Sequence, residues 1–260
     1  MTYCLEIRTV QSSAFKILVE ALKELLVDTC VEFDETGMKI ISMDNSHVVL
    51  VHLKLEACKF EYYQCENKMS IGINMLNLFK LVRTINSNDT LTLFIEKSDL
   101  NHIGIKIENG EKNQKTVYKL NLLDLNNPNI TIDPAEFNSQ INLPSVDFQK
   151  IIRDMNQLAE YVEIKNINNQ LILSCQGEFC SQETVLMDNE GISCISNKNS
   201  NEIVQGVFSL KYLVLFTKCT NLCSTVELYL KNDYPLICVW NVASLGTIRL
   251  CLAPSSANNM

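Results

Sequence analysis

Apolar residues recur along the chain at two periods, and each period predicts a different element. In the first half, alternating or continuous apolar runs indicate short strands at 31–33, 38–43, 48–55, 91–96, 103–108 and 116–122. Two other stretches follow the spacing of an amphipathic helix, with Ser12, Ser13 and Asn74 before them as capping residues. Their apolar positions are Phe15, Leu18, Val19, Leu22 and Leu25 in the first stretch, and Met75, Leu78, Phe79 and Val82 in the second, which is predicted to run from Met75 to Ile85. The first half therefore combines many strands with two helices of about three turns.

The second half repeats this plan at the same spacing. A third helix is predicted from Ser145, and a fourth from Ser209 to Thr220. Their matching positions are Phe148, Ile151, Ile152 and Met155 in the third, and Leu210, Leu213 and Lys218 in the fourth. The period of about 130 residues indicates an internal duplication. We predict an α+β fold of two similar domains, 1–122 and 139–260, each with two helix-plus-strands units, joined by an Asn- and Pro-containing linker at 123–138.

Composition narrows the classes of function. The chain has 22 basic and 30 acidic side chains in 260 residues, a formal charge of −8. A surface that bound phosphates throughout would carry the opposite sign, so any contact with nucleic acid must be local. The eleven cysteines are scattered without a C-x-x-C pair, which indicates reduced thiols rather than a disulfide framework. No signal peptide is visible, and the longest apolar stretch, 235–254, favours a hairpin over a bilayer span. We expect a soluble protein of the cytosol or nucleus, without membrane contact.

Basic residues are concentrated on the four predicted helices. These helices carry eight basic and four acidic residues, a balance of +4, whereas the other 14 basic and 26 acidic residues sum to −12. The eight basic residues are Lys16, Lys23, Lys80, Arg83, Lys150, Arg153, Lys211 and Lys218. A lysine on the polar face of one helix usually serves only solvation. Four helices in repeat-related positions instead predict a positive track that binds phosphates without reading bases. Because no aromatic stripe accompanies the lysines, a single-strand stacking surface is disfavoured.

An enzyme is the first alternative class, and the sequence offers little support for it. The chain contains no Gly-rich phosphate loop, no G-x-S-x-G, no H-E-x-x-H and only three histidines. Cys219 and Cys223 are four apart, and Cys175 and Cys180 are five apart, whereas zinc requires tighter pairs with further ligands. We therefore predict no catalytic residue, no metal site and no cofactor.

One segment carries a specific family signature. Residues 42–51 read SMDNSHVVLV and closely resemble the S-M-D-x-S-H-V-x-L-V signature of the proliferating cell nuclear antigen family, the eukaryotic-type sliding clamps. Further matches keep the family order and spacing over essentially the whole chain, at 60–65 (FEYYQC), 72–83 (GINMLNLFKLVR), 122–125 (LLDL), 143–164 and 208–254. The resemblance implies the DNA-clamp fold, closed as a homotrimeric ring with pseudo-sixfold symmetry around double-stranded DNA.

The same resemblance implies a processivity factor for DNA polymerase in replication and repair. A clamp loader would place it on DNA, and enzymes bearing a peptide motif would be recruited to it, in the nucleus or at viral replication sites. The family's hole-facing basic positions correspond to the eight helix residues given above. Because a closed ring stays linked to DNA topologically, weak and salt-sensitive phosphate contacts suffice. A subunit of a checkpoint-type heterotrimeric clamp and a monomeric, non-encircling processivity factor are the alternatives.

Rings of this family close by pairing edge strands of neighbouring subunits, and the resemblance assigns two segments to these edges. They are Thr116, Val117, Tyr118, Lys119 and Leu120 on one side, and Ser174, Cys175, Gln176, Gly177, Glu178 and Phe179 on the other. Pairing would protect both edges from aberrant association. The alternative, that both are ordinary interior strands, stays open.

The family also binds partner peptides, which carry a Gln, an aliphatic residue and two aromatic residues, in a pocket beneath the linker. The matching positions are Met43, His47, Val48, Leu50, Ile130, Ile132, Phe137, Tyr234, Pro235, Ala253 and Pro254. An apolar lining with a few polar edges suits an anchored aromatic side chain. The chain departs from the family at Leu250-Cys251, where an aromatic pair is common, and at Asn168, where a modifiable lysine is usual. We therefore expect an altered partner preference and no ubiquitin regulation at position 168.

Overall fold

A computed structural model describes residues 3–126, 130, 135–167, 170–187, 192–196 and 203–255 of the chain. The chain divides into two compact units. The first consists of Met1–Asn45, Val51–Ile130 and Asn241–Ile248, and the second of Ser46–Leu50, Thr131–Trp240 and Arg249–Met260. This division differs from the predicted domain boundaries, because Ser46–Leu50 is grouped with the second unit and Asn241–Ile248 with the first.

The first half of the chain forms nine strands, two α-helices and one short 3₁₀ turn within the described residues. The strands are β1 (Tyr3–Thr9), β2 (Asp28–Asp34), β3 (Gly37–Met43), β4 (Val49–Glu56), β5 (Tyr62–Cys65), β6 (Met69–Asn74), β7 (Asp89–Glu96), β8 (Asp99–Asn109) and β9 (Gln114–Asn121), the helices are α1 (Ser12–Leu25) and α2 (Met75–Val82), and the 3₁₀ turn is Ala57–Lys59. All six strands predicted from the apolar pattern are present, and β1, β5 and β6 are additional.

Strands of the first unit pair antiparallel in two groups. β5, β1, β7, β8 and β9 are neighbours in that order, and so are β6, β2 and β3. In β4, Val51, Leu53 and Leu55 are fully buried, whereas Lys54 and Glu56 are exposed. This alternation places one face of the strand on the core and leaves the other at the surface.

The second half contains nine strands, two α-helices and one 3₁₀ helix within the described residues. The strands are β10 (Ser139–Pro144), β11 (Tyr161–Ile167), β12 (Gln170–Gln176), β13 (Ser181–Met187), β14 (Ser193–Ser196), β15 (Val204–Ser209), β16 (Thr225–Leu230), β17 (Leu236–Val242) and β18 (Gly246–Leu252), the helices are α3 (Ser145–Asn156) and α4 (Leu210–Phe216), and the 3₁₀ helix is Thr217–Leu222. In the second unit, β13, β12, β11 and β15 form one sheet, and β14, β10, β16 and β17 are neighbours in another.

Each unit contains one pair of helices that pack on each other, α1 with α2 and α3 with α4. The apolar stripe of each helix is buried, and its main members are Phe15, Leu18 and Leu22 in α1, Met75 and Leu78 in α2, Phe148, Ile152 and Met155 in α3, and Leu210, Leu213 and Phe216 in α4. Burial of one such side chain contributes about 1.5–3 kcal/mol. The four helices predicted from the sequence are confirmed, and their polar faces lie at the surface.

The second helix begins at the predicted residue and ends earlier than predicted. Asn74 caps α2, because its Oδ1 accepts a hydrogen bond from the Asn77 backbone N–H at 2.9 Å. The helix ends at Val82 rather than at Ile85, and Arg83 is its C-terminal cap residue.

The fourth predicted helix, 209–220, divides into α4 and a 3₁₀ helix that starts at Thr217. The Thr217 hydroxyl donates to Val214 O at 2.8 Å, and such side-chain bonds compete with the α-helical ladder. The β-branched Thr217 and Thr220 also disfavour a continued α-helix. Lys218 therefore lies on a tighter turn than the sequence predicts.

The start of the predicted linker runs along β6. Leu123 N donates to Gly72 O at 2.8 Å. A side chain at Gly72 would meet Leu123 O at 2.3 Å and Leu125 Cγ at 2.8 Å, so only glycine permits this close approach. Residues 127–129 and 131–134 of the predicted linker lie outside the described residues.

A buried carboxylate anchors the turn before β7. Asp89 is 3% exposed, and its oxygens accept hydrogen bonds from Asn86 N (2.8 Å), Asn86 Nδ2 (3.1 Å) and Asn109 Nδ2 (2.6 Å). Burial by itself would raise the pKa of Asp89, but these hydrogen bonds favour the charged form and hold the pKa below its usual value. The Ser12 hydroxyl donates to Asp89 O at 2.6 Å, so the same turn also fixes the start of α1.

Replacing Asp89 by alanine should lower the free energy of unfolding by about 3 kcal/mol at neutral pH, because the amide donors of Asn86 and Asn109 lose a charged acceptor. The folded pKa lies below the unfolded value of about 4, so this carboxylate stabilises the fold above that value. Its contribution disappears as the pH falls through the folded pKa. Urea unfolding of both proteins at neutral pH and at about pH 3 should therefore show the difference shrinking with acid. The exposed neighbour Asn88 provides the control, since Asn88→Ala should change stability by less than about 0.5 kcal/mol. A difference that stays constant with pH would contradict the assignment.

Candidate functional sites

Two of the eight predicted basic residues are engaged by the protein itself. Lys16 and Lys23 of α1 are half-buried. The Lys16 ammonium donates to Ile85 O at 2.9 Å. The Lys23 ammonium pairs with Glu24 and lies 4.8 Å from the centre of the Phe79 ring. The Lys23 charge is therefore partly neutralised by Glu24, and the Lys16 ammonium is bound to a backbone carbonyl of the first unit.

The other six predicted basic residues are exposed, and none of them forms an ion pair within the described part of the chain. They are Lys80, Arg83, Lys150, Arg153, Lys211 and Lys218. The Lys80 ammonium reaches only Asn77 Oδ1, at 3.5 Å, and the Lys211 ammonium lies 5.7 Å from the centre of the Tyr212 ring. An anionic ligand could bind these six side chains without breaking an existing ion pair.

Spacing places some of these charges side by side. Lys80 and Arg83 are three residues apart at the end of α2, and Lys150 and Arg153 are three apart on α3, so each pair shares one helix face. Each unit therefore presents a small positive surface on its own helix pair. Lysine and arginine side chains in such rows position a phosphate backbone without reading the sequence of bases.

The first predicted subunit edge lies on a free strand. Positions 116–120 belong to β9, which is the last strand of its sheet and pairs only with β8 among the described strands. Leu122 N donates to Asn101 O on the β8 side, so alternation turns the backbone groups of Lys115, Val117 and Lys119 away from β8. The same three side chains are exposed. This edge can accept another strand.

The second predicted edge segment does not form the outermost strand of its sheet. Ser174–Gln176 belong to β12, and all three residues pair with β13, which lies outside β12. Gly177, Glu178 and Phe179 lie in the turn that follows. The reason is the hairpin: the chain reverses after Gln176 and lays β13 outside β12. Cys175 is accordingly buried.

The outermost strand at this end of the sheet is β13, which was not predicted from the sequence. Its backbone N–H and C=O groups on the outer side are free to pair with another strand. Gly177 N donates to Cys180 O at 2.9 Å, so alternation turns the backbone groups at Ser181, Glu183, Val185 and Met187 away from β12. The side chains at these positions are exposed. The β-branched residues Thr184 and Val185, which follow a glycine-containing turn, are the signal that could have indicated a hairpin partner.

A pocket of about 690 Å³ lies beside this edge. It is lined by residues 156–161, 174–179 and 181–183, so the predicted edge residues form part of its wall. Phe179 is 78% exposed at its mouth, and Val185 and Met187 continue the exposed apolar surface along β13. An exposed phenylalanine beside a pocket and a free strand marks a surface suited to protein contact.

The predicted peptide pocket is represented by two groups of residues in the second unit. In one group, Ala253 N donates to Val48 O at 3.0 Å. In the other, the Phe137 ring meets the Tyr234 ring edge-on at 5.6 Å between centres, and also meets Tyr229, which was not predicted, at 5.5 Å. His47, Leu50, Pro235 and Pro254 are likewise partly or fully exposed. All the described pocket residues of this unit are thus accessible to solvent.

The remaining pocket positions lie elsewhere. Met43, which is 40% exposed, and Ile130 belong to the first unit. Ile132 and the loop residue Asn168 lie outside the described residues.

Cys251 is a half-buried thiol on β18, two residues before Ala253. Burial raises the pKa of Cys251 to about 11, although the nearby Arg249 lowers it. The side chain is therefore a small, neutral group at neutral pH, where an aromatic residue is common in the family that the sequence resembles.

Other chemical sites do not emerge from the part of the chain that is described. No group of three or more His, Cys, Asp and Glu residues there could hold a metal ion. The cysteines whose side chains are described there form no disulfide bond. None of the helices described is both long and apolar enough to cross a membrane.

Comparison with known proteins covers nearly the whole chain. Residues 4–129 match the N-terminal domain and residues 131–255 the C-terminal domain of proliferating cell nuclear antigen. The chain is 37% identical over 254 residues to a probable DNA polymerase sliding clamp 1 of Paramecium bursaria Chlorella virus 1, which covers 95% of each protein. It is 30% identical over 294 residues to a probable DNA polymerase sliding clamp of Acanthamoeba polyphaga mimivirus, covering 98% of this chain and 63% of that protein. It is 31% identical over 253 residues to the proliferating cell nuclear antigen of Chaetomium thermophilum, covering 96% and 97%. With both domains matched and this identity over full length, the chain belongs to the proliferating cell nuclear antigen family.

Proposed function

We propose that this protein is a DNA sliding clamp that encircles duplex DNA and gives processivity to a DNA polymerase. Membership of the family supports this proposal most strongly, because proteins that match at least 95% of this chain are named probable DNA polymerase sliding clamps. The exposed basic residues on α2, α3 and α4 support it, because they offer unpaired positive charge on a chain of net charge −8. The family's role is non-catalytic, and we propose no enzymatic activity for this member.

The ring closes, in this proposal, when β9 of one subunit pairs with β13 of the next to form a homotrimer. Both strands have a free backbone edge and an exposed valine, Val117 and Val185. Lys115 on β9 and Glu183 on β13 are exposed charges of opposite sign, whereas Lys119 is already paired with Glu96 and Asp99 of its own chain. Complementary charges favour this pairing over the pairing of two like edges.

DNA contact is proposed to be weak and non-specific. Phosphates would meet the six exposed basic residues, whereas Lys16 and Lys23 would contribute less because they are engaged within the first unit. Weak contacts suit sliding, since the closed ring rather than phosphate affinity keeps the protein on DNA.

Replication and repair enzymes are proposed to dock through a peptide at the surface around Val48, Phe137, Tyr234 and Ala253. Aromatic rings and exposed aliphatic groups there suit an apolar anchor. Relatives occur in large DNA viruses and in a eukaryote, so we propose a nuclear location or a viral replication site, with a clamp loader as the opening enzyme.

A primer-extension assay tests the proposed function directly. On a long primed single-stranded circle coated with single-strand binding protein, a DNA polymerase should make much longer products in one binding event when the protein and a clamp loader with ATP are added. Omitting the loader or ATP provides the control. Product lengths that never respond to the protein, with family polymerases and loaders tested in turn, would contradict a processivity role.

A further inference from the structure

One hydrogen bond joins the loop beside the proposed peptide pocket to the helix that carries Lys211. The hydroxyls of Ser46 and Tyr212 are 2.7 Å apart, and both residues belong to the second unit. Ser46 immediately precedes His47 and Val48, two of the proposed pocket residues. We propose that Tyr212 is a positioning residue for the peptide pocket. Its hydroxyl holds the loop 44–48 in the conformation that binds the peptide. This inference rests on the proposed function of the pocket.

The loop has a conformation that needs support. His47 has φ 57°, in the left-handed region that non-glycine residues rarely adopt. Such a residue costs about 1 kcal/mol or more, and it persists only when the surrounding contacts hold it. Ala253 N donates to Val48 O just after it, and the Ser46–Tyr212 bond lies just before it. The two bonds therefore bracket the strained residue.

Tyr212 is well placed to be the fixed partner of this bond. It lies on α4, whose residues Leu210, Leu213 and Phe216 are fully buried, so the helix backbone is anchored in the core. The Lys211 ammonium lies 5.7 Å from the centre of the Tyr212 ring. The hydroxyl of a ring held in this way sets the position of Ser46, rather than the reverse.

The position of the loop matters because a partner peptide would contact its exposed residues. His47 is exposed and Val48 is half-buried. Without the bond to Tyr212, the loop would populate other conformations, and a peptide would bind only the fraction that keeps the binding geometry. Removal of one hydrogen bond between neutral groups corresponds to about a fivefold weaker peptide affinity.

The test uses the full chain and a fluorescent synthetic peptide that carries a Gln, an aliphatic residue and two aromatic residues. Tyr212→Phe removes only the hydroxyl and keeps the aromatic ring that lies near the Lys211 ammonium. Ser46→Ala removes the other partner. Each single variant should bind the peptide about fivefold more weakly in fluorescence anisotropy, and the double variant should be no weaker than either. Ser46→Thr keeps a hydroxyl and should restore most of the affinity.

Tyr62→Phe is the matched control, because the Tyr62 hydroxyl donates to Gln64 at an exposed site of the first unit. It should leave peptide affinity unchanged, and all variants should keep the thermal midpoint of the wild type. Peptide affinity in Tyr212→Phe equal to that of the wild type would overturn the inference but leave the pocket intact. Absence of peptide binding by the wild type would overturn the proposed pocket, and the inference with it. Additive losses in the double variant would show that the two hydroxyls act separately, which also contradicts the proposal.

Discussion

Replacing Val185 by proline should give a folded monomer that no longer forms a trimer. The backbone N–H of Val185 points away from β12 toward the free edge, so the monomer loses no internal hydrogen bond. A neighbouring strand, however, would lose one hydrogen bond and meet the proline ring. We expect a loss of about 3 kcal/mol or more per interface, which is about a hundredfold in association. Analytical ultracentrifugation at micromolar protein measures the change, with circular dichroism as a check on folding.

Two variants of the same strand serve as controls for this prediction. Val185→Thr keeps the N–H and nearly the same shape, so it should remain trimeric. Thr184→Pro removes an N–H that points inward to β12, so it should destabilise the monomer itself. A trimeric Val185→Pro protein would contradict closure through β13. It would instead favour a subunit contact through residues 174–179 of the pocket wall, which the family resemblance assigns to the interface.

Alanine at Lys80, Arg83, Lys150 and Arg153 together should strongly reduce stable association with DNA while leaving the fold intact. These four side chains are exposed and have no acidic partner among the described residues, so the free energy of unfolding should change by less than about 0.5 kcal/mol per substitution. Loading and processive synthesis should fall about tenfold or more at physiological ionic strength. The slope of log affinity against log salt should decrease by about 0.9 for each phosphate that the protein no longer neutralises. Filter binding or anisotropy over a salt series measures this slope.

Lys54→Ala combined with Lys59→Ala is the matched control, because both lysines are exposed but lie outside the four α-helices. This control lowers the net charge without touching the proposed DNA surface, so it should leave the salt slope nearly unchanged. If both sets of variants lowered the slope in proportion to the charge removed, attraction would depend on total charge rather than on the helix surface. That result would contradict the proposed location of the DNA-binding side chains.

Helices could be predicted from the sequence because the information that specifies them is local. The apolar spacing within one helix and a cap such as Asn74 act within a few residues of each other, and four helices are found where four were predicted. Their ends were less predictable. The change to a 3₁₀ helix at Thr217 depends on one hydroxyl bond that competes with the helical ladder.

The outermost strand of the second edge could not be predicted in the same way. The apolar run of β12 (QLILSCQ) and the mixed sequence of β13 (SQETVLM) do not say which strand is the inner one. That order is set by two successive hairpins, in which β12 pairs with β11 and β13 pairs with β12. The error therefore concerned a whole strand rather than a boundary of one or two residues.

Candidate site residues were predicted by chemical type, but their availability depends on the tertiary structure. Lys16 and Lys80 both lie on predicted helices, yet the Lys16 ammonium donates to Ile85 O, 69 residues away, and the Lys80 side chain is exposed to solvent. Likewise, Ser46 and Tyr212 are 166 residues apart in sequence, and nothing local indicates that their hydroxyls meet. Interactions of this kind require the fold before they can be inferred.

Retention on circular DNA tests most directly whether the protein encircles DNA. The labelled protein is loaded by a clamp loader onto a nicked circular duplex, separated from free protein by gel filtration in raised salt, and measured again after the circle is cut once. The proposed ring predicts that the protein stays on the intact circle, leaves the cut DNA, and is retained when both ends are blocked by bound proteins. Equal retention on circular and unblocked linear DNA would contradict a topological link.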